Sequence, residues 1–185
     1  YSLAVCYSKQ EEAENALPLF EECLTGRKAE LGEDHPDTLE SITNLATFYK
    51  EHGEPVKALP LYEDSVRVSK VVLGESHPER LRSMNNLAVL YDHRKEYEKA
   101  LPLYEESLKM SEVILGDHLD TFITMVNLAG LYQSQGEYGK AVTMYEECLR
   151  MGNIVLGDNH PFISSLKSGL ENCLNLLNSS KKHSN

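Results

Sequence analysis

Apolar side chains recur along the chain with the spacing of one helical face. Within Pro36–Glu51 they fall three or four residues apart, at Leu39, Ile42, Leu45, Ala46 and Tyr49. Pro36 suits the first helical position because it lacks the amide hydrogen that would be unpaired there, and Gly53 ends the helix. A second helix is predicted over Pro55–Val72, followed by Gly74. The pattern therefore predicts two amphipathic helices joined by a short turn.

The same pair of helices recurs along the chain. One string begins at Leu31 (LGEDHPDTL), Leu73 (LGESHPERL), Leu115 (LGDHLDTF) and Leu156 (LGDNHPF), at offsets of 42, 42 and 41 residues. Two further strings keep the same phase: NLATFY, NLAVLY and NLAGLY from Asn44, Asn86 and Asn127, and ALPLFEECL, ALPLYEDSV, ALPLYEESL and AVTMYEECL from Ala16, Ala58, Ala100 and Ala141. Since all three strings stay in phase, the chain is a tandem repeat of helix pairs, and the predicted fold class is all-α.

The repeat resembles the tetratricopeptide repeat. The residues that carry the resemblance match its signature in order and spacing: Leu45, Ala46, Tyr49, Gly53, Ala58, Tyr62 and Ser65. The 42-residue period, with LGxxHPxxL and NNLAxLY, is similar to the kinesin-light-chain-type subclass. That subclass also occurs in nephrocystin-like proteins and in sensor arrays of multidomain signalling NTPases. The resemblance implies a right-handed α-solenoid of helix-turn-helix repeats.

The resemblance covers residues 1–177, which we predict to form one tetratricopeptide array. It consists of a partial repeat (1–30), three full repeats (31–72, 73–114 and 115–155) and a terminal capping helix (156–177). In the terminal helix Gly169 replaces the signature Asn and Leu174 replaces the Tyr, and degraded terminal units typically cap solenoids. A disordered polar tail is expected over residues 178–185. Because the chain begins with Tyr1 and not Met, we expect a piece of a longer protein whose upstream targeting segment is not visible.

Composition narrows the classes of partner. The 185 residues carry a formal net charge of −11, which repels phosphate backbones and anionic lipid surfaces. The sequence contains no apolar run long enough to span a bilayer. Four cysteines without close spacing argue against a zinc ribbon, a redox motif or a disulfide scaffold. We therefore expect a cytoplasmic protein whose partners are proteins, without nucleic-acid binding or membrane insertion.

Histidine recurs in the loop before each first helix. The four residues are His35, His77, His118 and His160. Packed helices lie roughly 8–10 Å apart, so equivalent positions in neighbouring repeats are separated by about that distance or more. Bonds from a metal ion to nitrogen are only about 2 Å long, which excludes a shared ion. The histidines are therefore predicted to be loop or cap residues, and no metal site is expected.

Cysteine and tyrosine also occupy fixed repeat positions. Cys6 and Cys173 share the position of Phe48, Leu90 and Leu131, whereas Cys23 and Cys148 share that of Ser65 and Ser107. Both positions lie on buried helix faces, so the thiols are predicted to be small core residues. Tyrosine recurs at two positions, which are Tyr7, Tyr49, Tyr91 and Tyr132, and Tyr62, Tyr104 and Tyr145 with Phe20 before them. These rings are predicted to pack between helices, with each hydroxyl reaching a polar partner or water.

Catalytic motifs are absent from the sequence. It contains no phosphate-binding loop, dinucleotide fingerprint, zinc-protease motif or nucleophile elbow. Acidic pairs recur in the second helices at Glu21-Glu22, Glu63-Asp64, Glu105-Glu106 and Glu146-Glu147. Adjacent helical residues point about 100° apart, so a pair is not a catalytic dyad but part of a solvated outer ridge. A basic partner on that ridge is the alternative. We predict a protein that is not an enzyme and has no cofactor.

The resemblance implies that the first helices line a concave groove that binds extended or short helical peptides. The groove side carries Glu40, Thr43, Asn44, Thr47 and Lys50 in the second period, Arg82, Asn85, Asn86, Val89 and Asp92 in the third, and Ile123, Val126, Asn127, Gly130 and Gln133 in the fourth. Asn is a mediocre residue inside a helix, yet it recurs at one position. Its amide offers donors and an acceptor for a peptide backbone. The alternative is a hydrogen bond within the protein that duplication has copied.

The predicted peptide-binding residues are Asn44, Thr47, Lys50, Arg82, Asn85, Asn86, Val89, Asn127 and Gln133. Charges of both signs lie on the groove side, so a mixed polar and apolar peptide is expected and not a strictly acidic one. The predicted function is a non-catalytic adaptor that binds a linear segment of a partner protein. Two alternatives stay open. One is a structural subunit that packs by its convex face or ends in a large complex, and the other is the sensor array of a longer signalling ATPase.

Overall fold

A computed structural model of the protein describes residues 13–74, 77–116 and 118–183. These residues form eight helices and no strand. The helices are α1 (Ala13–Leu31), α2 (Pro36–Glu51), α3 (Pro55–Val72), α4 (Pro78–His93), α5 (Tyr97–Ile114), α6 (Leu119–Ser134), α7 (Tyr138–Leu156) and α8 (Pro161–His183). The bounds of α2 and α3 match the predicted helices residue for residue. The first part of the predicted partial repeat, with Cys6 and Tyr7, lies outside the described residues.

The helices form two compact units, Tyr1–Leu90 and Tyr91–Asn185. In the first unit α1 packs on α2 and α2 packs on α3, and the residues of α4 up to Leu90 add to its core. In the second unit α5 packs on α6, α6 on α7 and α7 on α8. Each of these contacts joins neighbours along the chain, which is the packing of a repeat array.

Apolar residues at equivalent repeat positions fill both cores. In the first unit the rings of Phe20 and Phe48 lie 5.3 Å apart between α1 and α2. In the second unit α6 and α8 contribute buried side chains at Phe122, Met125, Leu128, Ile163 and Leu166. The predicted tyrosine packing is confirmed, since Tyr49, Tyr62, Tyr91, Tyr104, Tyr132 and Tyr145 are all buried. The pattern that predicted the helices therefore also identified their inner faces.

The predicted histidine caps are confirmed. The Nδ1 atom of His35 accepts a hydrogen bond of 3.2 Å from the backbone nitrogen of Asp37 at the start of α2. The same bond joins His77 to Glu79, His118 to Asp120 and His160 to Phe162, at 3.2–3.3 Å. Each side chain satisfies one of the amide groups that a helix start leaves unpaired. The histidines thus contribute to folding at four equivalent points.

The turn inside each helix pair uses a left-handed residue. Gly53 and Gly136 have φ angles of 77° at this position, where glycine meets no steric penalty. In the repeat between them the position belongs to Lys95, which has a φ angle of 61°. A side chain with a Cβ is strained in this conformation by about 1–2 kcal/mol. The turn geometry is therefore kept even where the sequence lacks the glycine.

A cluster of three buried hydroxyl groups joins α2, α3 and α4 within the first unit. Thr43 Oγ1 lies 2.9 Å from Ser65 Oγ and 3.0 Å from Ser83 Oγ, and the two serine oxygens are 2.8 Å apart. The placement of Thr43 on the groove side is therefore wrong, because this side chain is completely buried. Its hydroxyl avoids an unpaired burial by donating to the carbonyl oxygen of Leu39.

The terminal helix is longer than the sequence predicted. Helix α8 continues to His183, whereas a disordered tail was expected from Asn178 onward. Ser179 Oγ donates to the carbonyl oxygen of Asn175, and Ser180 Oγ donates to that of Leu177. These bonds use polar side chains to cover carbonyl groups near the helix end, so the expectation of disorder is wrong for residues 178–183.

Candidate functional site

In the first unit the predicted groove residues of α2 and α4 form two hydrogen bonds with each other. Lys50 Nζ donates to Asn86 Oδ1 over 2.8 Å. Arg82 Nη1 donates to Asn44 Oδ1 over 2.9 Å. Each bond joins a cation of one first helix to an asparagine of the other. The structure therefore brings together four of the residues that the sequence selected.

These bonds determine how the two carboxamides are oriented. Ammonium and guanidinium groups only donate, so the amide atom facing each of them is the oxygen. The Nδ2 group of Asn86 has no hydrogen-bond partner in the part of the chain that the structure describes. The Nδ2 group of Asn44 is likewise without one and is buried. Both asparagines thus keep an amide donor that no other described residue uses.

The electrostatics of this side of the first unit differ from those of the whole chain. Lys50 is half-buried, and desolvation lowers the pKa of its ammonium group. The Arg82 guanidinium also donates two bonds to the carboxylate of Glu79, at 2.9 and 3.1 Å. Two cations therefore lie beside the asparagines although the net charge is −11, and one carboxylate partly compensates them.

Thr47 serves the packing between α2 and α3. Its hydroxyl donates to the carbonyl oxygen of Thr43 at 2.8 Å and therefore accepts from the Tyr62 hydroxyl, at 2.7 Å. Burial raises the pKa of Tyr62 to about 12, so the phenol is a neutral donor at physiological pH. Asn85 and Val89 are half-buried on α4. The Thr47 hydroxyl is therefore used in a structural hydrogen bond to the buried Tyr62.

In the second unit the predicted groove residues are Asn127 and Gln133 on α6, and both are half-buried. Gln133 Oε1 accepts a bond of 3.2 Å from the Cys173 thiol on α8. Gln133 occupies the repeat position of Lys50, so the cation of the first unit is replaced by a neutral amide. The second unit therefore presents a less charged surface at this position.

A cavity of about 390 Å³ lies among α6, α7 and α8 in the second unit. Its lining residues are Val126, Tyr145, Phe162, Ser165, Leu166, Ser168, Gly169 and Asn172. Sequence analysis placed Val126 on the groove side but included none of these in the peptide-binding set, and it treated α8 as a cap. The available signal was that Gly130 and Gly169 stand at the repeat positions of Thr47 and Asn86, where they remove two side chains.

The described thiols contribute to packing. Cys148 and Cys173 are completely buried, and burial raises the pKa of Cys148 to about 12. Cys23 is half-buried, which is less than predicted, and its sulfur lies 3.7 Å from Ser41 Oγ. Within the described ranges no group of three or more His, Cys, Asp or Glu side chains is placed to hold a metal ion. A thiol that stays protonated is a poor nucleophile.

Comparison with known proteins decides the family. Residues 1–70, 44–112, 93–154 and 120–182 match the sequence profile of the tetratricopeptide repeat (TPR). The chain belongs to the TPR family. No curated protein matches it by sequence. The all-α TPR fold that the sequence predicted is thereby confirmed.

Solved TPR structures extend this likeness over nearly the whole chain. A Podosopora anserina protein designated a kinesin light chain, with nearly identical TPR-like repeats, is 25% identical, with a TM-score of 0.84 over 98% of this chain and 86% of that chain. BtubC (BKLC) from P. vanneervenii is 26% identical, with a TM-score of 0.85 over 97% of this chain and 72% of that chain. The predicted similarity to the kinesin-light-chain-like subclass is confirmed.

Membership of the TPR family indicates a general class of function. TPR arrays are in general protein-interaction modules, and kinesin-light-chain-like TPR proteins are in general non-catalytic. Within the described helices, no segment combines the length and the hydropathy that a bilayer span requires. Protein partners are therefore the class that the fold supports.

Proposed function

We propose that this TPR chain is a non-catalytic adaptor of the cytoplasm that binds a linear segment of a partner protein along the groove side of its first helices. The observation that carries this proposal is the state of Asn86. Lys50 orients its carboxamide through the oxygen, which leaves Nδ2 as an unused donor. An extended peptide presents a carbonyl oxygen at every residue, so an oriented amide donor suits any sequence of side chains.

The composition of the bound segment follows from the charges beside the asparagines. Lys50 and Arg82 favour a carboxylate or a backbone carbonyl near the first unit, whereas Glu79 already neutralises part of Arg82. In the second unit Gln133 and Val126 present neutral surface. A segment with both polar and apolar residues, and with at most a few acidic ones, fits this distribution. The net charge of −11 favours a protein partner over nucleic acid.

A library of displayed linear peptides tests the proposal and requires no identified partner. The chain is screened beside a variant that combines Asn86→Ala with Asn127→Ala. Truncation of residues that carry binding energy costs more than about 1 kcal/mol each, so enriched peptides are expected to bind the variant at least about fivefold more weakly. Circular dichroism confirms that both proteins are equally helical.

Asn175→Ala supplies the matched control for that screen. Asn175 is an exposed asparagine of α8 outside the proposed groove set, so its truncation is expected to leave peptide affinity unchanged. The absence of any enriched linear peptide contradicts the proposal. Equal affinity of wild type and the Asn86, Asn127 variant moves the binding surface elsewhere.

A second candidate function, a subunit that packs into a larger assembly, is favoured by one observation. The last turn of the second helix in each full repeat carries a strongly exposed apolar residue, namely Val71 in the first unit and Val113 and Ile154 in the second, with exposures of 84%, 81% and 76%. Sedimentation velocity over a range of concentrations tests self-association, beside the variant Val113→Asp with Ile154→Asp. Association that this variant abolishes supports the assembly function, and a monomer at every concentration contradicts it for copies of this chain.

A further inference from the structure

At one repeat position, the side chain of a first helix bonds to the next first helix in two of the three full repeats. In the first unit Lys50 of α2 donates to Asn86 of α4 over 2.8 Å. In the second unit Gln133 of α6 accepts from the Cys173 thiol of α8 over 3.2 Å. The third residue at this position is Asp92 of α4, which belongs to the second unit. Its carboxylate has no hydrogen-bond or ion-pair partner among the residues that the structure describes.

The surroundings of Asp92 make the lack of a partner costly. The side chain is half-buried, and desolvation raises the pKa of its carboxyl group, which the exposed His93 beside it opposes. The cations that follow in the chain, Arg94 and Lys99, both bond to Glu96, at 2.5 and 2.7 Å. A partly desolvated carboxylate that no cation compensates is unfavourable. Asp92 therefore carries a charge that these neighbours leave uncompensated.

Tyr104 of α5 lies within the electric field of this carboxylate. Burial and, to a smaller extent, the charge of Asp92 raise the pKa of the Tyr104 hydroxyl, so the phenol is neutral at physiological pH. No hydrogen bond joins the Asp92 carboxylate to this hydroxyl. A neutral phenol that does not donate to the carboxylate leaves its charge uncompensated, so a compensating cation has to come from a ligand.

We propose that Asp92 binds a basic side chain, lysine or arginine, of the partner segment. The inference deepens the proposed function and rests on it, because Asp92 has on α4 the repeat position that Lys50 has on α2. Charge complementarity supports this occupant, since hydrogen bonds from an ammonium or guanidinium group to a carboxylate are about twice as strong as neutral ones. The net charge of −11 also attracts a basic segment as it approaches.

The library of displayed linear peptides tests this inference when Asp92→Asn and Asp92→Lys are screened beside wild type. Peptides enriched on wild type are expected to share a lysine or arginine at one position. Norleucine in place of that residue is expected to weaken binding to wild type at least about tenfold and binding to Asp92→Asn less than about twofold. Asp92→Lys is expected to prefer the same peptide with glutamate at that position. Isothermal titration calorimetry measures these affinities.

Asp158→Asn supplies the matched control. It removes the same charge from an exposed residue of the second unit, in the turn between α7 and α8, and is expected to keep the affinity of wild type. Urea denaturation adds a readout that a structural role would move in the opposite direction. Because the described chain offers Asp92 no partner, the unfolding midpoint of Asp92→Asn is expected to equal or exceed that of wild type.

The outcomes separate this inference from the proposed function. Enriched peptides without a basic residue, or equal losses from norleucine in wild type and Asp92→Asn, overturn the inference, while a dependence of those peptides on Asn86 and Asn127 still supports the groove. A lower unfolding midpoint for Asp92→Asn also overturns it, because the carboxylate then has a partner within the protein. If no linear peptide is enriched, the proposed function fails and the peptide-borne cation fails with it.

Discussion

Lys50 Nζ donates a hydrogen bond to Asn86 Oδ1 over 2.8 Å and so connects the first helices of two successive repeats. The contact has two consequences. It determines which end of the Asn86 carboxamide faces away from the lysine, because an ammonium group has no acceptor to offer. It also holds a cation in a partly desolvated position, which lowers the pKa of Lys50. Lys50 therefore orients the Asn86 amide donor and places a positive charge beside it.

Removal of this lysine is expected to weaken peptide binding more than it changes stability. Lys50→Met keeps the aliphatic stem but leaves the Asn86 carboxamide free to rotate, and we expect affinity for a library-derived peptide to fall about fivefold. The free energy of unfolding is expected to change by less than about 0.5 kcal/mol. Isothermal titration calorimetry and urea denaturation measure the two quantities. Lys57→Met removes an exposed lysine of α3 as the control, and equal losses of affinity for both variants contradict the role of Lys50.

The buried hydroxyl cluster predicts an unequal cost at two equivalent serines. Thr43 and Ser83 each donate to a backbone carbonyl, so Ser65 holds the remaining proton for three mutually close oxygens. Ser65→Ala is expected to lower the free energy of unfolding by about 1–3 kcal/mol, since the single Ser65 proton is lost and one buried oxygen at a time no longer accepts it. Ser107→Ala changes the same repeat position in the second unit and is expected to cost under about 1 kcal/mol. Equal midpoints of urea denaturation for the two variants are the contrary result.

The histidine caps predict a dependence on side-chain chemistry. His35→Ala removes the acceptor for the Asp37 amide and is expected to lower the free energy of unfolding by about 1 kcal/mol. His35→Asn offers another acceptor at the same place and is expected to retain most of the stability. Urea denaturation distinguishes the two variants. A His35→Asn protein as unstable as His35→Ala shows that the imidazole acts through something other than the cap.

The strained turn of the second unit predicts a stabilising substitution. Lys95 has a left-handed φ angle of 61°, at the position where two other repeats use glycine. Lys95→Gly removes a strain of about 1–2 kcal/mol, and the greater entropy of glycine in the unfolded chain offsets part of it. A net gain of about 1 kcal/mol is expected in urea denaturation. The reverse change, Gly53→Ala, is expected to destabilise by a similar amount, and a loss of stability in Lys95→Gly refutes the argument.

The repeat register alone predicted several residues of the candidate site. The register identified Asn44, Lys50, Arg82 and Asn86, which the structure joins in pairs. The same register misplaced Thr43 on the groove side, because its hydroxyl is buried against Ser65 of α3 and Ser83 of α4. Whether a small polar residue faces solvent or a neighbouring helix depends on how closely that helix approaches, and periodicity does not contain this distance.

Local sequence is sufficient for the helices, the turns, the caps and the family of this protein. These features depend on residues that are close together in the chain: the hydrophobic period, the turn glycines and the histidine before each first helix. They can therefore be predicted from the sequence alone. The pairing of Lys50 with Asn86 depends on side chains from two helices that are not adjacent in the chain, 36 residues apart. Tertiary packing alone decides which polar groups satisfy one another, as the Lys50 ammonium and the Asn86 carboxamide do.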